Sequence, residues 1–530
     1  HARIIRPPHY HCELESLDSD VLSRLKQENV YLVQDGSFLA VAALQEYQVV
    51  KAASRVSLAA KWKSVKQLSE ENIYSQLTSN NKDSFFVEKG CIPSATREIP
   101  KLEQIDEYEN KTLSATFRKP YHMHASIGPS AGCASFDGDA LIVWTHNQGV
   151  YPLRAAITEA FDMATDNVTV QFVPGSGVYG HNGADDAAFD AAIIARHIKG
   201  HPILLKWTRD DEHSWEPYGS AMQCEIQASI DKNGKISSWS HETYADTFLT
   251  RPITGKQPAT RMVSTHYIED ALPWPVAEPM MVPHGGIHRN MEMLYEMPEP
   301  RLVKNRVYDL PLRTSALRTL GAYGNVFANE SMIDELAEVA NLDPFIFRLN
   351  HLKDERATAV LSKLQQVMED NRGDEEQLGH GIGFARYKNS AAYCAIGVSL
   401  SVNEVAEVKL HDAYIVCDAG EIVDAAGVSA QLEGGFIQAA SWTLYEQVLY
   451  DRDGIVSRDW DTYPIITFDN IPQMHTHLIA NPGMPYLGAG EGAAGPTAAA
   501  IGNALKDATG LRVREMPFNP DRIMAAALEE

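Results

Sequence analysis

The sequence predicts an α/β protein (α+β in places), with strands and helices alternating through most of its length. Two stretches carry that expectation. Between residues 140 and 207, apolar β-rich runs at 140–145, 168–173 and 203–207 alternate with helical patterns at 151–163 and 184–198. Further on, Gly488-Ala489-Gly490-Glu491-Gly492-Ala493-Ala494-Gly495-Pro496 is a run almost without side chains. It feeds an alanine-rich helix that can stop at Gly510.

The elements follow in order. Arg3-Ile4-Ile5-Arg6 is a short strand ended by Pro7-Pro8, and runs at 30–33 and 38–42 flank Asp35-Gly36, a hairpin signal. A helix over 46–62 places Val49, Val50, Ala53 and Val56 on one side. These make a small α/β unit at 1–63. Residues 64–119 are polar and mixed in sign, with a loop at 79–83, and are expected to connect rather than to supply a core. A larger α/β body is expected over 120–352 and a charged helical bridge over 353–378. The last body, 379–530, has strands at 396–402, 408–416 and 465–468 and a helix at 428–445.

Composition narrows the partners. With 44% apolar and 22% charged residues the chain is ordinary globular material. A net charge of −24 argues against a nucleic-acid partner, whose phosphates need Lys and Arg. No apolar run approaches the ~20 residues of a membrane-spanning helix. The six cysteines, Cys12, Cys91, Cys133, Cys224, Cys394 and Cys417, are scattered without a CxxC pair. An iron–sulfur cluster or zinc ribbon of usual spacing is therefore not expected in this chain.

Four local patterns compete for a functional reading. Gly128-Pro129-Ser130-Ala131-Gly132 matches GxSxG, but it leads into a turn and another strand, not the helix a nucleophile elbow requires. Gly175-Ser176-Gly177-Val178-Tyr179-Gly180 is a GxGxxG run between a strand and a helix, so a nicotinamide- or flavin-binding domain stands as the alternative. Against it, the next strand ends without the ribose-binding acid, and the helix opens with Asp185-Asp186, whose charges oppose a pyrophosphate. Arg318, in a loop ahead of a helix from Glu330, can anchor an anion or pair with a surface acid. His122 and His124 sit on an expected strand with both rings on one face, and without a third ligand they read as a packed or hydrogen-bonded pair.

Together these loops resemble the molybdenum hydroxylase family, that of xanthine dehydrogenase and aldehyde oxidase. The likeness is greatest to its isoquinoline 1-oxidoreductase (beta-chain) and membrane-associated aldehyde dehydrogenase branch. The matching stretches are His1-Ala2-Arg3-Ile4-Ile5-Arg6-Pro7-Pro8, Asn147-Gln148-Gly149-Val150-Tyr151-Pro152-Leu153-Arg154, Gly177 to Asp186, Gln431-Leu432-Glu433-Gly434-Gly435 and Gly488 to Gly492, in the family's order. The resemblance implies an N-terminal α/β hammerhead (1–63) followed by two molybdopterin-binding α/β domains. It implies that Glu491 is the catalytic base, that Gln148 hydrogen-bonds an oxo ligand of molybdenum, and that Arg318 lies near the substrate pocket. Gly177, Tyr179 (where the family usually has Phe), Gly180, Gln431, Gly490, Gly492 and Ala493 would border the cofactor. No side chain would ligate the metal, which the pterin dithiolene holds.

The implied cofactor is molybdopterin cytosine dinucleotide with molybdenum. The implied reaction is water-dependent hydroxylation of an N-heteroaromatic ring or oxidation of an aldehyde; the second alternative is a non-catalytic family member. Residues 209–219 lack the substrate-orienting arginine of purine-oxidising members, which disfavours a xanthine-type substrate. The family's Glu-Met-Gly-Gln-Gly pterin motif is also missing from these residues. A companion chain or segment is expected to supply it. A [2Fe-2S] small subunit would take the electrons, with a cytochrome c as one candidate acceptor. The resemblance points to a periplasmic or membrane-associated setting and leaves a cytoplasmic one open.

Overall fold

Alternate glycines in one strand explain how the C-terminal helix is seated. In the computed structural model, Gly379, Gly381 and Gly383 lie on the strand Gly379–Arg386. A Cβ on each would stand 2.2, 2.1 and 2.4 Å from backbone atoms of Ala504 and Pro496. The alanine-rich helix Ala494–Thr509 therefore rests directly on the strand, and Gly510, at φ +82°, stops it as the sequence predicts. That strand opens a four-stranded sheet that continues through Tyr393–Val402, Val408–Asp418 and Gln473–Leu478. The structure describes residues 1–92, 97–102, 110–248, 250, 252, 253, 255, 257–276, 280–371 and 378–529.

A seven-stranded mixed sheet runs in the order Val168–Phe172, Leu141–Thr145, Ala131–Phe136, Ile203–Lys206, Ala2–Ile5, Phe38–Ala42 and Tyr31–Asp35. The N-terminal hairpin is thus joined to the later strands, through the parallel pairing of Ala2 with Leu205. Helix Ala184–His197 covers this sheet with small residues. Its close approach explains Gly132, whose Cβ would meet the Ala188 Cα at 2.6 Å. Helix Glu46–Ala59 buries Val49, Ala52 and Val56, while Val50 is exposed. Residues 60–64, expected to be its last turn, form a strand paired with Cys12–Leu17.

The main departure from expectation lies in residues 64–119. They supply two strands, Lys82–Val87 and Asn110–Lys119, to a five-stranded sheet with Arg301–Val307, Ile236–Ala245 and Met222–Asp231. Phe85, Phe86 and Val87 are buried there, and so is most of the short helix Ile73–Ser79. Mixed-sign composition hid these strands because the polar positions face partners. Arg306, for example, is buried in its strand and pairs with Asp83 across it. The fourth strand of the C-terminal sheet also differs. Residues 465–468 are not a strand, Phe468 is 94% exposed, and the pairing falls to Gln473–Leu478. The bridge is two helices, Pro344–Asn350 and Glu355–Asp370, with 372–377 outside the described residues. Helix Ala322–Val339 begins ahead of the expected Glu330.

Candidate active site

Four chain segments that are remote in sequence close around one cavity of about 860 Å³, and each has a local reason for its shape. The loop before helix Ala184–His197 turns at Tyr179, φ +47°, and Gly180, φ +131°. A Cβ at Gly180 would lie 1.8 Å from the Ala316 carbonyl oxygen, so only glycine permits the backbone contact in which His181 N donates to Ala316 O at 2.9 Å. Gly177 leaves room for the Tyr179 ring, whose Cζ would be 2.6 Å from its Cβ. Arg318 N donates to Tyr179 O at 2.7 Å, so the 175–180 and 316–320 loops are held together. Ala125, Tyr179, Leu320 and Lys388 all border this cavity with positive φ, a concentration of backbone strain typical of functional sites.

The third wall is helix Ala425–Leu444. Gln431, Gly434, Gln438 and Ser441 recur at helical spacing along it and all border the cavity. The fourth is the turn into helix Ala494–Thr509, which brings Gly490 and Glu491 to the rim. Glu491 is half-buried rather than enclosed between its glycines. Its Oε1 accepts a hydrogen bond from the Tyr387 hydroxyl at 3.0 Å, and Arg289 Nη1 donates to that hydroxyl at 2.6 Å. Burial, with the adjacent Glu491 carboxylate, holds the Tyr387 phenol well above its ordinary value, so it stays a donor.

Gln148, Tyr179, Gly180, Arg318, Gln431, Gly490 and Glu491 all meet at this cavity. Gly177, Gly492 and Ala493 lie one step behind: Gly177 under the Tyr179 ring, and Gly492 and Ala493 in the turn that starts the last helix. Arg318 departs from the expectation of an anion anchor. Its Nε donates to Gly490 O at 2.8 Å, its Nη2 to Gln431 O at 2.9 Å and its Nη1 to Gln438 Oε1 at 3.2 Å. It ties three walls together. Arg289 and Tyr387 carry no signal in the sequence, because nothing in Tyr387-Lys388-Asn389 forms a motif.

The competing patterns are resolved by geometry. Ser130 is buried, and its hydroxyl donates to Glu212 Oε1 at 3.0 Å, so it is no exposed nucleophile. The acids opening helix Ala184–His197 are taken up internally. Asp185 accepts from Asn147 Nδ2 at 2.5 Å and contacts His181 Nδ1 at 3.0 Å, and Asp186 pairs with Arg313. No pyrophosphate can lie there, which removes the dinucleotide fingerprint reading. His122 and His124 are buried but not on a strand. His122 stacks on Trp442 with burial pressing its pKa well down, and His124 Nδ1 faces Glu216 at 3.1 Å. At the deep end, burial pushes the Glu446 carboxyl up to about 8, so this wall is neutral at pH 7.

The cavity's donor set agrees with what known proteins show. Residues 101–266 and 329–472 each match the family described as molybdopterin cofactor-binding domain. The chain belongs to the molybdenum hydroxylase family. Among curated relatives of this family, the large chain of nicotinate dehydrogenase from Pseudomonas putida is 31% identical over 99% of this chain and 44% of its own length. The beta chain of isoquinoline 1-oxidoreductase from Brevundimonas diminuta is 28% identical over 68% of this chain and 43% of its own. The chain thus spans less than half the length of these two molybdenum hydroxylase relatives. In fold it is similar to quinoline 2-oxidoreductase from Pseudomonas putida 86, with TM-score 0.77, 13% identity and coverage of 100% of this chain and 94% of that one. Aldehyde oxidoreductase from Desulfovibrio gigas gives 0.72 at 13% identity, over 99% and 77%.

The residues present fit such a cofactor. Gly434 and Gly488 have nothing within 4 Å of where a Cβ would stand, so two walls are kept clear of side chains. The Gln148, Gln431 and Gln438 amides offer neutral donors and acceptors beside that space. No helix among the described residues is long and apolar enough to cross a membrane.

Proposed function

We propose that this chain is the catalytic portion of a molybdenum hydroxylase large subunit that oxidises an N-heteroaromatic ring or an aldehyde with oxygen from water. The observation that carries this reading is the convergence of Glu491, Gln148, Gly180 and Gln431 on one glycine-walled cavity. The cofactor, when bound, supplies the two-electron redox chemistry. The chain's own residues do the rest. Gln148, Gln431 and Gln438 would border the cofactor, and Gly180 and Gly490 allow it to approach the backbone. Arg318 holds Gly490 and therefore Glu491 in place. Glu491 takes the proton at Oε2, since Oε1 is engaged by Tyr387. The relatives named as acting on nicotinate and isoquinoline favour an N-heteroaromatic substrate over an aldehyde.

The cytosine dinucleotide form of the cofactor, a [2Fe-2S] partner and a companion segment carrying the Gln-Gly pterin motif belong to the same proposal. Relatives named as subunits support the existence of partners. The deciding experiment is metal and pterin analysis of the intact purified complex, with native mass spectrometry of its chains. Near-stoichiometric molybdenum with a pterin dinucleotide is expected. A loaded complex whose pterin lacked cytidine would correct the cofactor's form, and a complex with tightly bound flavin and no molybdenum would overturn the reading.

A further inference from the structure

Arg289 is 7% exposed, borders the cavity beside Glu491, and has no acidic partner within ion-pair distance among the described residues. Its Nε donates to His284 O at 3.1 Å and its Nη1 to the Tyr387 hydroxyl at 2.6 Å, while Nη2 has no protein partner among them. A buried guanidinium normally stands against a carboxylate or phosphate, because an unpaired charge out of water is costly. In the same protein, buried Arg348 meets Glu330 and Asp334, and buried Arg313 meets Asp186. Arg289 departs from that rule at the one place where a ligand can enter. Lys388 and Arg318 also border the cavity, and Glu446 is neutral, so positive charge outnumbers the single Glu491 carboxylate in a protein of net charge −24.

We propose that Arg289 anchors the carboxylate of an N-heteroaromatic acid and so presents the ring of that substrate to Glu491. The proposal rests on the catalytic reading above and adds the substrate's charge to it. Nη2 and the second hydrogen of Nη1 form the fork that suits a carboxylate. Tyr387 sets the spacing. The guanidinium and the base lie two hydrogen bonds apart, with Tyr387 between them, and a single aromatic ring bearing a carboxylate spans such a gap. A neutral aldehyde or an unsubstituted heterocycle would leave the guanidinium unpaired.

The same charge could instead hold a phosphate of the dinucleotide cofactor, and the test separates the two. Pyridine-3-carboxylate and its neutral amide are compared on the purified, molybdenum-loaded complex, by equilibrium dialysis and by kcat and KM. The wild type is expected to favour the acid by at least about tenfold, the range of one charge-assisted hydrogen bond. Arg289→Gln should remove that preference through KM while leaving the amide's constants and the molybdenum and pterin content unchanged. Arg289→Lys should keep part of it. Equal affinity of the wild type for acid and amide would overturn the proposal. So would equal losses for both ligands in Arg289→Gln, which would mark a residue that positions Tyr387 only. Loss of cofactor from Arg289→Gln would assign the guanidinium to the phosphate. A wild-type complex without molybdenum would remove the underlying reading as well, and metal analysis records that separately.

Discussion

The Arg318 guanidinium holds the carbonyl oxygen of Gly490 at 2.8 Å from Nε, fixing the residue immediately before Glu491. The same side chain reaches Gln431 O, so the turn carrying the base and the helix Ala425–Leu444 share one clamp. A hydrogen bond from a charged donor is worth about 1.5–3 kcal/mol, and breaking it releases the turn. Arg318→Ala is therefore expected to speed amide exchange over residues 488–493 by at least ~tenfold relative to the wild type. Hydrogen–deuterium exchange with peptide mass spectrometry measures this, and unchanged protection there would refute the clamp.

Glu491→Gln keeps the shape of the side chain and can still accept from Tyr387, but it cannot take up the proton. General-base contributions run to ~10²–10⁴-fold, so turnover should fall by at least about a hundredfold at unchanged molybdenum content. Near-full turnover in a fully loaded variant would exclude Glu491 as the base.

Much of the site is legible in the sequence because it is built from loops whose chemistry is local. A glycine run around one acid, and glutamines at fixed places, are readable without knowing what they face. Arg289 and Tyr387 are not, since their meaning lies in which neighbours the fold gives them. Arg318 stands out in the sequence, but as an anion anchor, because sequence cannot show that carbonyl oxygens of Gly490 and Gln431 consume its donors. The fold follows the same rule. Apolar strands such as Leu141–Thr145 announce themselves, whereas Arg301–Val307, with Lys304, Asn305 and Arg306 buried inside it, looks like a polar connection.

Gly180 gives a sharper test of packing. Its φ of +131° is strained for any L side chain, and an added methyl would fall on the Ala316 oxygen. Gly180→Ala should separate the 175–180 and 316–320 loops and lower cofactor content, read as molybdenum per chain. Gly138→Ala serves as the control: it also has positive φ, at +122°, but its Cβ would meet nothing within 4 Å. Equal metal loading in both variants would show that the close contact at Gly180 is not needed.

The last prediction concerns pH. Burial raises the carboxyl groups of Glu446 and Glu212 from 4.5 to about 8, with Glu216 adding to the effect on Glu212. In the unfolded chain both would titrate near the ordinary value, so between about 4.5 and about 8 the folded state binds protons that the unfolded state releases. The stability these two groups confer is therefore complete below the lower value and is lost as pH rises through the upper one. Thermal unfolding should move to lower temperature across that window. Glu446→Gln, which mimics the neutral acid bordering the cavity, should flatten the slope without weakening the fold at the acidic end. A Glu446→Gln melting profile that fell with pH as steeply as the wild type would show that this carboxyl does not hold its proton in the folded protein.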